Sequence, residues 1–346
     1  EMSASLVGSE MCIRDRAFTA YNTRIVAPPH GSMLPMSPVR KNILMVACAL
    51  GLLIPVVIIF ICENMNTRVR GRKDLESVTV PFIGEIPLFT RKKKGIFRKK
   101  PQEVRAIVVK EGSRDIINEA FRVLRTNLEF MTGKDKASNV IIVTSFNPGS
   151  GKSFLTMNIA VSFAIKGKKV LVIDGDLRHG SASSYIDSPT KGLSDYLGGR
   201  IDNLNEIIVT NPKQKYLDIL PVGTIPPNPT ELLFDDRLKQ VIDTVREQYE
   251  YVLIDCPPIE LVADTQIIEK LADRTIFVVR AGLLELSMLA ELEKIYGEKK
   301  YKNMSLILNG TEGSGGRYGY RYGYRYGYHY GYGSEYHYGS DEKYIE

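Results

Sequence analysis

The densest chemistry in this 346-residue chain lies in one run, Gly149-Ser150-Gly151-Lys152-Ser153-Phe154. A β-branched apolar segment at 140–143 leads into it through a Pro-Gly turn. A mostly apolar stretch, SFLTMNIAVSFAIKG, follows. Strand, glycine-rich loop and helix, in that order, are the context a phosphate-binding loop needs. Glycine lets backbone N–H groups approach phosphate oxygens, and the helix N-terminus adds partial positive charge there. Lys152 can reach terminal phosphates, and the Ser153 hydroxyl can ligate Mg²⁺. The six residues from Gly149 to Phe154 are the candidate nucleotide-binding set. One departure stands out: Phe146 occupies the loop's first position, where a small residue is usual.

Two further groups can work with such a loop. The run KVLVID (169–174) continues as GDLR, and YVLID (251–255) continues as CPP. Both read as buried strands that end in acid. In an open α/β sheet ligands bind at the C-terminal strand ends, which places Asp174, Asp176 and Asp255 at the ligand edge. Asp255 suits a Mg²⁺ shell with Ser153 and Asp176. A second acidic strand end leaves Asp174 or Asp176 to take a proton from an attacking hydroxyl. The tail supplies candidate hydroxyls in Tyr318, Tyr320, Tyr322, Tyr324, Tyr326, Tyr328, Tyr330, Tyr332, Tyr336, Tyr338 and Tyr344. Residues 317–346 carry no net formal charge, whereas each phosphotyrosine adds about −1.5 to −2. Full modification gives a polyanion of roughly −16 to −22, enough to expel the tail from a site or to break an assembly.

The elements that must position these groups alternate short apolar strands with helices from Val140 onward, as a parallel α/β sheet does. Further strands are expected at 217–221, 275–279 and 304–308. The segment 115–131 has Ile116, Ala120, Val123, Leu124 and Leu128 at helical spacing. Glu119, Arg122 and Arg125 lie on its other side, three apart, as a solvated face or as a contact to a neighbouring subunit. From Gly313 the composition collapses to Gly, Tyr, Arg and Ser, with too few aliphatics to bury a core.

Upstream, residues 43–62 form twenty uncharged positions, and ~1.5 Å per helical residue spans a ~30 Å hydrocarbon core. Basic residues cluster after this run, at 68–73 and 91–100, so the positive-inside rule puts the C-terminal part in the cytoplasm. Between these clusters, VTVPFIGEIPLF reads as an apolar hairpin or a docking strand. The expected organisation is an unassigned start (1–27) that reads as incomplete, a Pro-rich entry (28–42) and a transmembrane helix (43–62). A basic linker (63–114), the nucleotide domain (115–312) and the Tyr-rich tail (313–346) follow. The four cysteines show no C-x-x-C spacing, which excludes a zinc ribbon and a disulfide framework and fits a reducing compartment. An Arg/Tyr tract can stack on single strands, but a membrane span on the same chain argues against nucleic acid.

Taken together, NPGSGKSF, VLVIDGDLR, VLIDCPP, NEAFRVLRTN, PVGTIPPNPTELL and the tyrosine-rich C-terminus resemble the bacterial tyrosine kinases fused to polysaccharide copolymerases. The resemblance covers about residues 28 to 346. It implies an α/β, parallel-sheet, P-loop kinase domain at the inner membrane that uses ATP and Mg²⁺. Such a kinase phosphorylates its tyrosine cluster between subunits of a ring-like homo-oligomer. By resemblance, Lys152 and Ser153 bind nucleotide and Mg²⁺, and Asp174 and Asp176 are the Walker A′ acids. Asp255 is the Walker B acid, and Glu119, Arg122 and Arg125 make the ring contact. The implied partners are a low-molecular-weight tyrosine phosphatase and the polysaccharide polymerase and export machinery. Two alternatives share the fold: a partitioning-type ATPase, whose signature loop lysine is here Asn147, and a nucleotide-switched copolymerase without kinase activity.

Overall fold

The computed structural model describes residues 40–64, 67–89, 106–132, 140–211, 214–260 and 263–311, with no side-chain detail for 62–64. The expectations for the start of the chain, the Pro-rich entry up to residue 39, the basic run 91–100 and the tail tyrosines lie outside these residues.

The chain divides into two units, Glu1–Asn66 and Thr67–Glu346. The described part of the first is a single helix, α1 (Arg40–Asn64), with Pro55 inside it. Its Arg40–Ile61 stretch is long and apolar enough to cross a membrane, and none of it is buried. Leu44, Leu52 and Phe60 are each about two-thirds exposed, the state an apolar helix adopts when lipid is its solvent.

The second unit is built on one eight-stranded sheet in the order β1-β8-β7-β2-β6-β3-β5-β4. Its strands are β1 (Phe82–Pro87), β2 (Val140–Thr144), β3 (Val170–Asp174), β4 (Val209–Thr210), β5 (Leu217–Leu220), β6 (Tyr251–Asp255), β7 (Arg274–Arg280) and β8 (Ser305–Thr311). The helices are α2 (Ile116–Thr132), α3 (Lys152–Ile165), α4 (Leu193–Leu197), α5 (Pro229–Leu233), α6 (Asp236–Gln248), α7 (Asp264–Glu269) and α8 (Met288–Gly297). Every pairing is parallel except β4 with β5. Strands β2, β3 and β6 are buried along their whole length, as parallel strands covered by helices on both faces must be.

Three features depart from the sequence expectations. First, of the two readings of the apolar segment within the basic linker, the docking strand holds and the hairpin does not. It forms β1, an edge strand parallel to β8, and the chain before it is tied to the segment after β7, with Val69 N–H donating to Leu284 C=O and Leu286 N–H to Thr67 C=O. Second, α2 buries Ile117, Phe121, Leu124 and Leu128, while Ile116 and Val123 stay 55% and 42% exposed. The helix is turned because β1 covers it. A Cβ on Gly84 would stand 3.3 Å from Leu124 Cδ1, so a side chain there would press on the helix. Third, Asn118 and Asn158 are buried and face a strap at 106–110. Asn158 Oδ1 accepts from Val108 and Val109 N–H, and Asn118 Oδ1 accepts from Lys110 N–H. Three of the strap's backbone donors are thereby satisfied without a sheet partner.

Candidate nucleotide and phosphotransfer site

Strand β2 lies between β6 and β7, so the loop that follows it opens at the centre of the sheet's C-terminal edge. Phe146 explains its own departure from the usual small residue. Its ring is 2% exposed and meets Phe277 of β7 edge-on at 4.9 Å. The loop start is therefore anchored in the core and leaves its backbone for the ligand. Beyond it, Asn147 C=O accepts from the Ser145 and Ser150 hydroxyls at 2.8 Å each. The Asn147 side chain donates to Glu260 Oε2 at 3.1 Å.

The loop closes against β8. Asn309 Nδ2 donates to Ser150 C=O at 2.8 Å. Gly151 has φ +85°, and a Cβ there would stand 2.2 Å from Asn309 Nδ2. Both the left-handed backbone and the space exclude a side chain. Gly151→Ala is expected to cut nucleotide affinity at least tenfold while the rest of the sheet keeps its melting behaviour. Titration with a fluorescent nucleotide measures this, and an unchanged affinity would show that the loop tolerates the shift.

Lys152, first residue of α3, is 9% exposed. Burial lowers its pKa, while the charges of Asp255, Asp176 and Cys256 oppose that. The acids stand opposite. Asp174 and Asp255 are register partners on β3 and β6. The sequence leaves open which strands flank the loop strand; β6 is its direct neighbour and β3 lies one place further out. Asp174 Oδ2 accepts from Ser183 N–H (2.6 Å) and Ser183 Oγ (2.7 Å). Asp174 Oδ1 and both oxygens of Asp255 are buried without a partner. Burial pushes Asp174 up to about 6, against the Ser183 bonds, with Asp176 adding repulsion. Asp255 is pushed to about 8, by burial first and then by Asp174. Lys152 and the nearby Ser153 hydroxyl pull it down without reaching hydrogen-bond geometry that would satisfy its oxygens. Three orphaned carboxylate oxygens are an arrangement that a cation relieves.

Among the described residues no cluster of three or more His, Cys, Asp or Glu can hold a metal alone. That fits Mg²⁺, which keeps waters and takes one or two carboxylates plus substrate phosphates. Of the residues expected from the sequence to hold it, Ser153 and Asp176 stand with Asp255 at this edge.

Asp176, the third acid, is 7% exposed. Its Oδ1 receives Arg178 N–H at 3.3 Å, His179 N–H at 3.2 Å and His179 Nδ1 at 3.2 Å. Arg178 is pinned in turn: its Nε donates to Asp264 Oδ2 at 3.1 Å and its NH2 to Thr230 Oγ1 at 3.0 Å. Thr230 Oγ1 closes the ring by donating to Asp264 Oδ1 at 2.6 Å. The sequence reading missed Ser183, Thr230, Asp264, His179 and Asn309. Only Asn309, a polar residue inside the apolar run ILNG, carried a local signal.

The structure therefore brings together Gly149–Ser153, Asp174, Asp176 and Asp255, while the Phe154 ring packs edge-on against Phe121 of α2 at 6.1 Å. Glu119, Arg122 and Arg125 lie apart on α2 with partners within the chain. Glu119 and Arg122 pair at 3.0 Å with both side chains about 40% exposed, and Arg122 also donates to Ser113 C=O. Arg125 donates to Ser162 C=O on α3 at 2.8 Å, so it is not part of a solvated row.

A central strand ending in this loop, an adjacent strand ending in a buried acid and an all-parallel core define a P-loop nucleotide-binding domain. An AAA-domain family model matches residues 138–306. The chain is 35% identical over 209 residues to the Bacillus subtilis tyrosine-protein kinase YwqD, covering 60% of this chain and 87% of that protein. It is 31% identical over 274 residues to the Escherichia coli tyrosine-protein kinase etk, covering 76% of this chain and 37% of that one. The solved kinase domain of E. coli ETK superposes with a TM-score of 0.62 at 29% identity, covering 76% of this chain and 100% of that one. The chain belongs to the bacterial tyrosine-protein kinase family. It spans between 36% and 40% of the length of the longer relatives it matches.

Proposed function

We propose that the protein is a membrane-anchored kinase that transfers the γ-phosphoryl group of ATP to tyrosines of its own C-terminal cluster, between copies, with Mg²⁺. The observation that carries this reading is the pair of acidic strand ends beside the loop. Asp255 alone would serve a nucleotide switch, and Asp174 with Asp176 adds carboxylates that a switch does not need. Bound Mg²⁺ would neutralise developing charge on the phosphates. Gly149–Ser153 cradle those phosphates through backbone N–H groups. Lys152 sets a buried positive charge against the β- and γ-oxygens. As the tyrosyl oxygen bonds to γ-phosphorus and the β–γ bridge breaks, its proton passes to a carboxylate. We assign that role to Asp176, which on this reading leaves the Mg²⁺ shell to Ser153 and Asp255. Its Oδ2 has no hydrogen-bond donor among the described residues, and it is the less buried of the two Walker A′ acids, Asp174 being 0% exposed.

The domain boundaries, the cytoplasmic side of α1 and the ring-like assembly through Glu119, Arg122 and Arg125 belong to this proposal. So do partnership with a low-molecular-weight tyrosine phosphatase and with polysaccharide polymerisation and export machinery, and the absence of a nucleic-acid partner. The deciding experiment is incubation of the full chain with ATP and Mg²⁺, followed by anti-phosphotyrosine detection and mass mapping. Phosphate on residues 318–344 is expected. ATP turnover without phosphotyrosine would move the reading to a partitioning-type ATPase or a nucleotide switch.

The assembly is tested separately. Arg122→Ala with Arg125→Ala is expected to lower the mass measured by light scattering. The loss of the Arg125–Ser162 bond within the chain should cost about 1.5–3 kcal/mol of stability, so melting is measured alongside. An unchanged mass would overturn the contact.

A further inference from the structure

The segment between β5 and α6 carries no role in the mechanism above, yet it is tied to it. Thr230, the second residue of α5, holds Arg178, whose own N–H caps Asp176. Around that tie the segment is exposed and apolar. Ile225 is 61% exposed and Phe234 is 65% exposed, with Pro227 open beside them. Residues 225–236 also contain Glu231, Asp235 and Asp236, all exposed, and no basic residue. Asp235 is spent as the N-cap of α6, accepting from Arg237 N–H. The adjoining arginines, Arg178 and Arg237, are already paired with Asp264 and Asp202, so exposed apolar side chains beside Glu231 and Asp236 describe a surface for a cationic, aromatic ligand.

The chain contains such a ligand. Residues 317–328 read RYGYRYGYRYGY: Arg recurs every fourth position, Tyr alternates, and there is no acid. We propose that the 225–236 lip docks this Arg-Tyr repeat from a second copy of the chain, with Ile225 and Phe234 against the tyrosine rings and Glu231 and Asp236 facing the arginines. This inference rests on the tyrosine-kinase reading and names the surface that presents the acceptor. The topology favours a second copy. The tail follows β8, and β7, β2, β6 and β3 stand between β8 and β5. At ~4.8 Å per strand that is about 24 Å. A copy's own repeat would have to cross the phosphate loop and both acidic strand ends to reach its own lip. Docking through arginine also provides release. Each phosphotyrosine adds about −1.5 to −2, so one modification per repeat outweighs the Arg charge and turns attraction to Glu231 and Asp236 into repulsion.

The test uses the full chain in detergent, with a Lys152→Met copy as acceptor and a fluorescein-labelled peptide of residues 315–330 as a binding probe. Ile225→Ser with Phe234→Ser, and Glu231→Lys with Asp236→Lys, are each expected to weaken peptide binding at least tenfold. They should raise the KM for the acceptor copy equally, with the KM for ATP unchanged. An acceptor carrying Arg317→Glu, Arg321→Glu and Arg325→Glu should be poor for the unaltered kinase and restored by the Glu231→Lys, Asp236→Lys kinase. This acceptor change does not depend on whether the lip variants fold. A peptide phosphorylated on Tyr318 and Tyr322 should bind at least tenfold more weakly. Normal phosphotyrosine with peptide binding indifferent to all these changes would overturn the docking surface and leave the kinase reading intact. Lip-dependent peptide binding without any phosphotyrosine would support the surface and overturn the kinase reading.

Discussion

Lys152→Met is expected to lower tail phosphorylation by roughly 10²–10³ or more, the scale of removing one preorganised charge from a site that stabilises developing negative charge. The residue is nearly buried, and burial already works against its charge. Methionine has similar length and fills the same space, so the nucleotide-free protein loses little packing. The melting temperature should therefore stay within a few degrees of the parent. What disappears is the one cation identified as facing Asp255 and Asp176 from the phosphate loop. Quantified phosphotyrosine on parent and variant, with melting curves of both, checks the expectation. Phosphotyrosine at the parent level in the variant would remove Lys152 from the mechanism.

Asp255→Asn should abolish phosphotransfer and at the same time stabilise the protein without ligand. Both Asp255 oxygens are buried without partners, and burial with Asp174 repulsion raises its pKa to about 8 from 3.8. A carboxyl group raised in the folded state stabilises it fully when protonated, below about pH 4. That contribution drains away as pH rises toward 8, because the unfolded chain then releases the proton more readily. Asparagine has no such term. The variant should melt several degrees higher than the parent at pH 8, a domain of this size shifting about 2–4 °C per kcal/mol. Near pH 4 the gap should close. ATP with Mg²⁺ should reverse the order, since a ligand that binds only the folded parent stabilises it by mass action. Differential scanning calorimetry across pH 4–8 reads all three. A variant less stable than the parent at pH 8 would show that Asp255 serves the fold rather than the ligand.

Much of this protein was legible in the one-dimensional chain because its signals are local. The loop Gly149–Ser153 sits between a β-branched strand and a helix, and both strand-terminal acids follow apolar runs. Such runs have few ways to fold other than as buried parallel strands. The apolar run 43–62 reads as one long helix by its length and lack of charge, and α1 contains it. Helix α2 was legible as a helix but not in its orientation, because which side is buried depends on what covers it. The cover is β1, a strand 29 residues upstream by its end at Pro87 and the helix start at Ile116. Its short apolar run reads equally well as a hairpin.

What the sequence by itself determined was a list of candidate groups for binding phosphate, holding a cation and accepting a phosphoryl group. Residue type and spacing along one element are enough for that. The tertiary structure decided which of them meet and in what state. It set Asp174 against Asp255 in register, left three of their oxygens without donors, and occupied one oxygen of Asp176 with its own turn. It also joined the phosphate loop to β8 through Asn309, and Arg178 to Thr230 and Asp264 across 52 and 86 residues of chain. A hydrogen bond closes within a few ångströms and a pKa follows its immediate surroundings. Neither leaves a mark on spacing when its partners lie far apart in the chain and meet only after the sheet has formed.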